Sequence, residues 1–350
     1  MRHSGVDLHK ANFVVCFLAA QGKPRVLTFS LDAEGQAACC RHLRTEDEVA
    51  VEVGQNTYFF DEQICTRGKR VVLVDTHRFA LLSRSKKKTD RDDATLLARF
   101  LKMGWLPTVS VPDKRVQQLR QLFHARESLV EMPTKLKNRG QVALTRNGVV
   151  VGHQAFRSEK SREQIRTLSG LTPADQQIVQ VVLRQLDVLE QEISEIEAAI
   201  VGLGKPLLGL QRVLQLPGLS LLSAIGLLAE IGDLKWFEKA KPLTAYAGLV
   251  ASVHQSGERE RHGKITKQGR KRLRGIMIRA ALTITRVPGA GPLRDFYLRK
   301  KREEGAGKAL CAVARKLRTI VFVMLKKEWD YWYVEARLYN RKLQVLQAAA

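Results

Sequence analysis

The sequence predicts an α/β domain followed by a longer, mainly helical remainder. Three observations carry this. Short apolar runs of strand type alternate with helical patterns over residues 5–110. Beyond them, one segment carries an uninterrupted heptad seam. The composition, 45% apolar and 27% charged over 350 residues, is that of a folded chain of two or three domains.

In the first part, Val14 to Leu18, Val26 to Leu31, Val49 to Val53 and Val71 to Asp75 read as strands. Glu34 to Leu43 and Tyr58 to Thr66 read as helices between them. A helix from Asp90 to Met103 places Ala94, Leu97, Ala98 and Leu101 on one face, at i, i+3, i+4 and i+7. Apolar strands alternating with helices indicate a covered, partly parallel sheet. Trp105-Leu106-Pro107 and Pro112 mark a boundary. Domains are expected at 1–110, 111–205, 206–300 and 301–350. In the second, Val179, Val182, Leu186, Leu189, Ile193, Ile196 and Ile200 step by three and four, as in a coiled coil. Its partner is either another helix of the chain or a second subunit. In the third, Leu216-Pro217-Gly218-Leu219 before an apolar helix looks like half of a phosphate-binding helical hairpin. The tail is helical and basic, with aromatics from Trp329 to Tyr333.

Charge narrows the function. Lys and Arg number 59 against 35 Asp and Glu, a net +24. The first 110 residues hold 17 basic and 13 acidic side chains, the rest 42 and 22. Such an excess favours a polyanion, because each neutralised phosphate releases counterions. Nucleic acid is the leading partner and an anionic membrane surface the lesser. No apolar run approaches the ~18 residues of a membrane span, and the N-terminus does not read as a signal peptide. The five cysteines show no CxxC pair, so free thiols in a reducing cytoplasm are expected. From Arg259 to Arg279, nine basic residues face one acid. Arg259, Arg261, Lys264, Lys267, Arg270, Lys271, Arg272 and Arg274 are the candidate nucleic-acid contacts, with a helix expected from about Thr266. A merely solvated basic face is the plainer alternative.

Four carboxylates of the first domain stand out. Asp7 opens the first strand, Glu52 ends an apolar one, and Asp90 and Asp93 share a face at the head of a helix. A carboxylate in a buried strand is costly unless paired or bound to metal. Hard oxygen ligands from strand ends and a helix suit Mg²⁺ or Mn²⁺, and two such ions clamp an in-line phosphoryl displacement. Turn formation, a core ion pair and helix-dipole placement are the plainer readings. Asp92, about 100° from Asp93 around the helix, is excluded. His9 and Lys10 could reach a phosphate near Asp7. Ser256, in Gln255-Ser256-Gly257, lies beside Arg259, Arg261 and Lys264. It is either a turn residue or a nucleophile that attacks phosphorus among cations.

Gly5-Val6-Asp7-Leu8-His9-Lys10, the Glu52 strand and Lys88-Thr89-Asp90-Arg91-Asp92-Asp93-Ala94 resemble the RuvC-like DEDD domain of insertion-sequence-110-type transposases, which include the Piv DNA invertases. Leu216-Pro217-Gly218, Ala245-Tyr246-Ala247-Gly248-Leu249, Gln255-Ser256-Gly257 and Gly269-Arg270-Lys271-Arg272-Leu273-Arg274 are similar to that family's C-terminal transposase domain. The resemblance implies a RuvC/RNase H-like first domain, a coiled-coil middle and a mainly helical transposase domain. It implies a recombinase with Asp7, Glu52, Asp90 and Asp93 as metal ligands and Ser256, rather than Ser252, as nucleophile. It also implies double-stranded donor and target DNA, a structured bridge RNA as guide, and a homo-oligomer, dimer or tetramer, working in the cytoplasm at the nucleoid. Two other readings stay open: a RuvC-like nuclease cutting by metal-activated water, and a non-catalytic nucleic-acid-binding protein.

Overall fold

The computed structural model describes the chain except residues 22, 55, 65–69, 83–88, 153, 257–258, 288, 290 and 349–350, with positions 63, 77, 81–82, 253–256 and 259–262 described by backbone alone. The basic run at 84–88, Cys65 and Gly257 therefore lie outside the described residues. Met1–Val111 and Pro112–Ala350 form two compact units.

The first unit is built from β1 (His3–Leu8), β2 (Asn12–Leu18), β3 (Arg25–Ser30), α1 (Ala33–His42), β4 (Glu48–Glu52), α2 (Thr57–Ile64), β5 (Arg70–Val74), α3 (Thr76–Leu82), α4 (Asp90–Met103) and β6 (Thr108–Val109). The strands form one sheet in the order β3-β2-β1-β4-β5-β6. β1, β4 and β5 are parallel, β1 to β3 form an antiparallel meander, and β6 runs antiparallel to β5. Both faces are covered, which is why the strands read as continuous apolar runs. Phe13, Val15 and Phe17 pack with Cys39, Phe60 and Ile64 of α1 and α2. Val14, Cys16 and Leu18 pack with Ala94 and Ala98 of α4 on the other face. Three elements of this unit are not among those expected: β1 as a strand separate from β2, and α3 and β6, which are too short to show a period. Asp7 is also corrected. It lies one residue from the C-terminal end of β1, not at its start, since pairing with β2 begins at His3.

Gly5 sets the distance between α4 and the sheet. A Cβ there would collide with the Ala94 carbonyl oxygen and with the backbone of Ala98. The helix backbone thus lies directly on β1, with Ala94 and Ala98 supplying the small residues on its own side.

The second unit begins with a hairpin of long helices. α5 (Lys114–Arg146), the short α6 (Glu159–Arg166) and α7 (Pro173–Gly204) follow in order. α7 runs antiparallel to α5. Arg126 Nε donates to Glu197 Oε1 at 2.7 Å near one end, Gly140 faces Val182 midway, and Asn147 donates to Asp175 at 3.0 Å near the other. Of the heptad seam, Val179, Val182, Leu186 and Ile200 are buried, while Leu189, Ile193 and Ile196 are half-buried. The seam is therefore used within the chain. Among the described residues, seven α-helices follow: α8 (Leu210–Leu214), α9 (Leu221–Ile231), α10 (Ala240–Tyr246), α11 (Lys271–Arg286), α12 (Pro292–Glu304), α13 (Ala306–Lys326) and α14 (Ala336–Ala348). The hairpin of β7 (Ala251–Ser256) and β8 (Arg259–Ile265) separates α10 from α11. Leu119, Ile200, Leu214, Ile225, Met277 and Leu317 join α5, α7, α8, α9, α11 and α13 in one core. The Leu216–Leu219 turn is buried against α11, with Gly218 beneath the Ala280 carbonyl. The turn's apolar side chains serve packing.

Gly5→Ala should destabilise the first unit by roughly 3 kcal/mol, the upper range for overpacking, because the colliding atoms are backbone and cannot rotate away. Urea unfolding followed by circular dichroism measures this. A loss under about 0.5 kcal/mol would mean that α4 is free to lift from β1.

Candidate functional site

The face of β1 that meets α4 carries the acids. Side chains alternate along a strand, so Gly5 and Asp7 point to the same side. Val6 lies opposite Val51 of β4 and both join the other core. One residue on, the pleat turns both Asp7 and Glu52 towards α4. Along α4, Ala94 and Ala98 rest on Gly5; Asp90 is one turn earlier than Ala94, over Asp7. Close packing at a glycine thus brings a strand carboxylate under a helix N-terminus.

His9 completes the group. Its Nε2 is 3.4 Å from Asp7 Oδ2 and 3.2 Å from Asp90 Oδ2. The ligand atoms of Asp7, His9 and Asp90 lie within 4.8 Å of one another. The Nε2 is inaccessible to solvent, yet makes no properly oriented hydrogen bond with either carboxylate. Burial pushes the Asp7 carboxyl above its ordinary range; His9 pulls it back, while the charges of Asp90 and Asp93 push it up. Carboxylates that repel one another around a poorly bonded imidazole suit a hard divalent cation, whose charge removes the repulsion. Glu52 is half-buried at the end of β4. The sequence suggests only that His9 could reach a phosphate near Asp7, and does not place it among the acids. Its signal is the Asp-x-His spacing, two residues apart at a strand end.

Asp92 has a different task. Thr89 is the N-cap of α4; its hydroxyl accepts from the Asp92 N–H at 3.2 Å and donates to Asp92 Oδ2 at 2.6 Å. This reciprocal cap turns Asp92 away from the Asp7 side.

In the second unit, Ser256 is the last residue of β7 and pairs with Arg259 across the hairpin. Ser252 sits at a bulge, its Oγ directed at Gly263. The base of the hairpin is fixed by backbone bonds from Thr266 to Val250, 2.8 Å, and from Arg270 to Tyr246, 2.8 Å. The helix expected from Thr266 begins only at Lys271. Lys267 and Gly269 adopt positive φ, 55° and 128°, which ends any helix there. Gly269 passes so close to the Tyr246 carbonyl that no side chain fits.

The basic row divides accordingly. Arg272 donates twice to Glu127, at 3.0 and 2.9 Å, and once to the buried Glu230 at 2.9 Å. It joins α5, α9 and α11, and holds the Glu127 carboxyl below the usual range. Arg270 stacks over Tyr246 and donates to its hydroxyl at 2.9 Å. Arg274 donates to the carbonyls of Lys267, 3.0 Å, and Ala247, 3.3 Å. Arg270 and Arg274 thus brace the base of the hairpin, while Arg272 ties three helices together and is largely withdrawn from water. Lys264, Lys267 and Lys271 are exposed.

Two family models match the chain. One, described as a transposase of the DEDD IS110 type, covers residues 4–147. The other, described as Transposase IS116/IS110/IS902 family, covers residues 210–298. The transposase for insertion sequence element IS1111A of Coxiella burnetii is 27% identical over 248 residues, 70% of this chain and 68% of that protein. A pilin gene-inverting protein of Moraxella bovis is 25% identical over 341 residues, 92% of this chain and 95% of that protein. A probable family 20 transposase of Pseudomonas aeruginosa is 23% identical over 290 residues, 81% and 85% of the two chains.

Mn²⁺ titration by calorimetry tests the acidic group. Asp7→Asn, His9→Asn and Asp93→Asn should each weaken binding by at least about tenfold. Asp92→Asn should keep the affinity within about twofold and cost about 1 kcal/mol or less as a weakened cap. A larger loss of binding from Asp92→Asn than from Asp93→Asn would reverse the assignment of the helix face.

Proposed function

Since the chain belongs to the IS116/IS110/IS902 family of transposases, and is thus a DNA transposase/recombinase, we propose that it cuts and rejoins DNA strands of an insertion sequence with a DEDD metal site and a serine nucleophile. The observation that carries this is the convergence of Asp7, His9 and Asp90 beside Asp93. Asp7, Glu52, Asp90 and Asp93 hold Mg²⁺ or Mn²⁺, with His9 beside them. The bound metal supplies charge stabilisation at the phosphoryl oxygens. The sheet order, an antiparallel meander joined to parallel crossovers, supports reading the first unit as RuvC-like.

Ser256 attacks a DNA phosphodiester. Its Oγ forms a bond to phosphorus as a strand oxygen leaves; attack by a free strand end on the phosphoserine then rejoins the DNA. Its place at the tip of a braced hairpin supports this role. Arg259, Arg261, Lys264, Lys267 and Lys271 contact phosphates of double-stranded donor and target DNA. A structured guide RNA, which would share the basic surplus beyond residue 110, chooses the sites. The protein acts as a dimer or tetramer in the cytoplasm, at the nucleoid. Exposed Val130 and Val188 on the α5–α7 hairpin are available to a second copy. No helix among the described residues is long and apolar enough to cross a membrane.

A covalent protein–DNA adduct is the direct test. Substrate nicked near the cut should trap it, and it should survive denaturant. Ser256→Ala should abolish adduct and product while DNA binding stays; Ser252→Ala should retain both. Full recombination by Ser256→Ala would instead favour metal-dependent hydrolysis without a covalent step.

The lysines and Arg272 should separate cleanly. Lys264→Gln, Lys267→Gln and Lys271→Gln together should lower the salt dependence of DNA binding by up to about one unit per contact, with stability changed by less than about 0.5 kcal/mol each. Arg272→Gln removes the hydrogen-bonding partner of Glu127 and of the buried Glu230, which among the described residues keeps only Arg270 at 3.7 Å, and should cost about 3 kcal/mol of stability. A stable Arg272→Gln protein with a lowered salt slope would return Arg272 to the DNA interface.

A further inference from the structure

All four tryptophans are exposed: Trp105 by 67%, Trp236 by 64%, Trp329 by 57% and Trp332 by 65%. Burying an aromatic side chain is among the largest gains available to a fold. Two of the four, with the half-exposed Tyr333, stand within five residues of one another between α13 and α14. This segment lies beyond both stretches matched by the family models.

The segment is held firmly from below. Tyr331 is only 2% exposed and packs in the main core. Its N–H donates to Gln215 Oε1 at 2.7 Å, and the Gln215 amide donates to Asp330 Oδ1 at 2.8 Å. Lys342 donates to the carbonyls of Leu214, 2.8 Å, and Leu216, 2.6 Å, closing α14 onto α8. The Tyr333 ring rests on Gly291, where any side chain would strike it. The rings are therefore presented by fixed backbone. Lys327 Nζ lies 4.5 Å from the Trp329 ring centroid, a cation at the platform itself. Immediately after it, Arg337 and Arg341 stand one turn apart on α14 and line an open cleft of about 840 Å³ with Asn340, Gln344 and Glu335, whose carboxylate is engaged by the Leu338 N–H at 2.7 Å. α14 carries no acidic residue.

We infer that Trp329, Trp332 and Tyr333 form a stacking platform for unpaired nucleobases, while Lys327, Arg337 and Arg341 take phosphates of the same strand. Aromatic faces beside cations are what a single strand needs, because every base has a π-face and every linkage a charge. Paired bases are stacked inside a duplex and cannot reach the rings. A single-stranded stretch of RNA and a displaced DNA strand share this chemistry. The inference rests on nucleic acid being the partner of this chain, and not on the roles given to Ser256 or the acids.

The full-length protein carrying Trp105→Phe and Trp236→Phe reports emission from Trp329 and Trp332 alone. Oligouridylate and oligothymidylate of about 12 nucleotides are titrated into it, with a duplex of equal length as comparison. Stacking should quench the emission in a saturable way. Adding Trp329→Ala and Trp332→Ala should weaken single-strand binding by about tenfold or more, leave duplex binding within about twofold and leave the circular dichroism unchanged. Phe at both positions should restore most of the affinity. A loss confined to oligouridylate assigns the platform to RNA, and one confined to oligothymidylate to DNA; both support it. Single-strand affinity unchanged within about twofold, or an equal loss on the duplex, would overturn it while leaving the DNA reading intact. Failure to bind any of the three would overturn both.

Discussion

The contact on which the first unit depends is that of α4 with β1 at Gly5. A helix ordinarily stands off a sheet by the length of its side chains. Here the missing Cβ lets backbone meet backbone, with Ala94 and Ala98 as the facing residues. That approach places Asp90 and Asp93 over Asp7, in a space small enough for one imidazole to lie near two carboxylates. The acids do not attract one another. They are held together by apolar packing one and two turns further along the helix, where Leu97 and Leu101 bury against Ala50, Val72 and Val74. The apolar contacts thus offset the repulsion that the site contains.

The second unit solves a related problem with opposite charge. Glu230 is buried in an otherwise apolar helix, and an isolated carboxylate there would be costly. Arg272 satisfies it and reaches across to Glu127, so three helices meet at one guanidinium. Arg270 and Arg274 continue from that point to Tyr246 and to the carbonyls of Ala247 and Lys267. The planar, multiply donating head of arginine suits such bracing, while the lysines of the same stretch remain at the surface. A single basic run therefore holds two populations, one braced within the fold and one at the surface.

The net charge of +24 is accordingly a poor measure of the binding surface. Arg162, Arg272 and Arg318 are largely withdrawn from water and serve the fold. What remains exposed is spread over α5, the hairpin base and the C-terminal helices, among other places. There it keeps company with aromatics that the core could have used. Polar bracing is shared by the base of the β7–β8 hairpin and the Trp329–Tyr333 segment.

Much of this was legible in the sequence. Four strands and the helices at 33–42, 57–64 and 90–103 follow from period and composition, because a strand buried on both faces and a helix buried on one leave different apolar spacings. The exclusion of Asp92 follows from helical geometry alone. The heptad seam identified a long helix but not its partner, since apolar knobs fit a second subunit as well as α5. The basic helix starts at Lys271 rather than at Thr266, because Lys267 takes a left-handed backbone that its residue type does not signal. Nor could spacing separate Arg272 from Lys271: their difference lies in Glu127 and Glu230, 145 and 42 residues away. The sequence by itself determined most of the strand and helix segments and that carboxylates stand near their ends, because those depend on neighbours a few residues apart. Only the tertiary structure decided that His9 joins Asp7 and Asp90 and which arginines brace the fold, because those depend on how closely distant backbones approach.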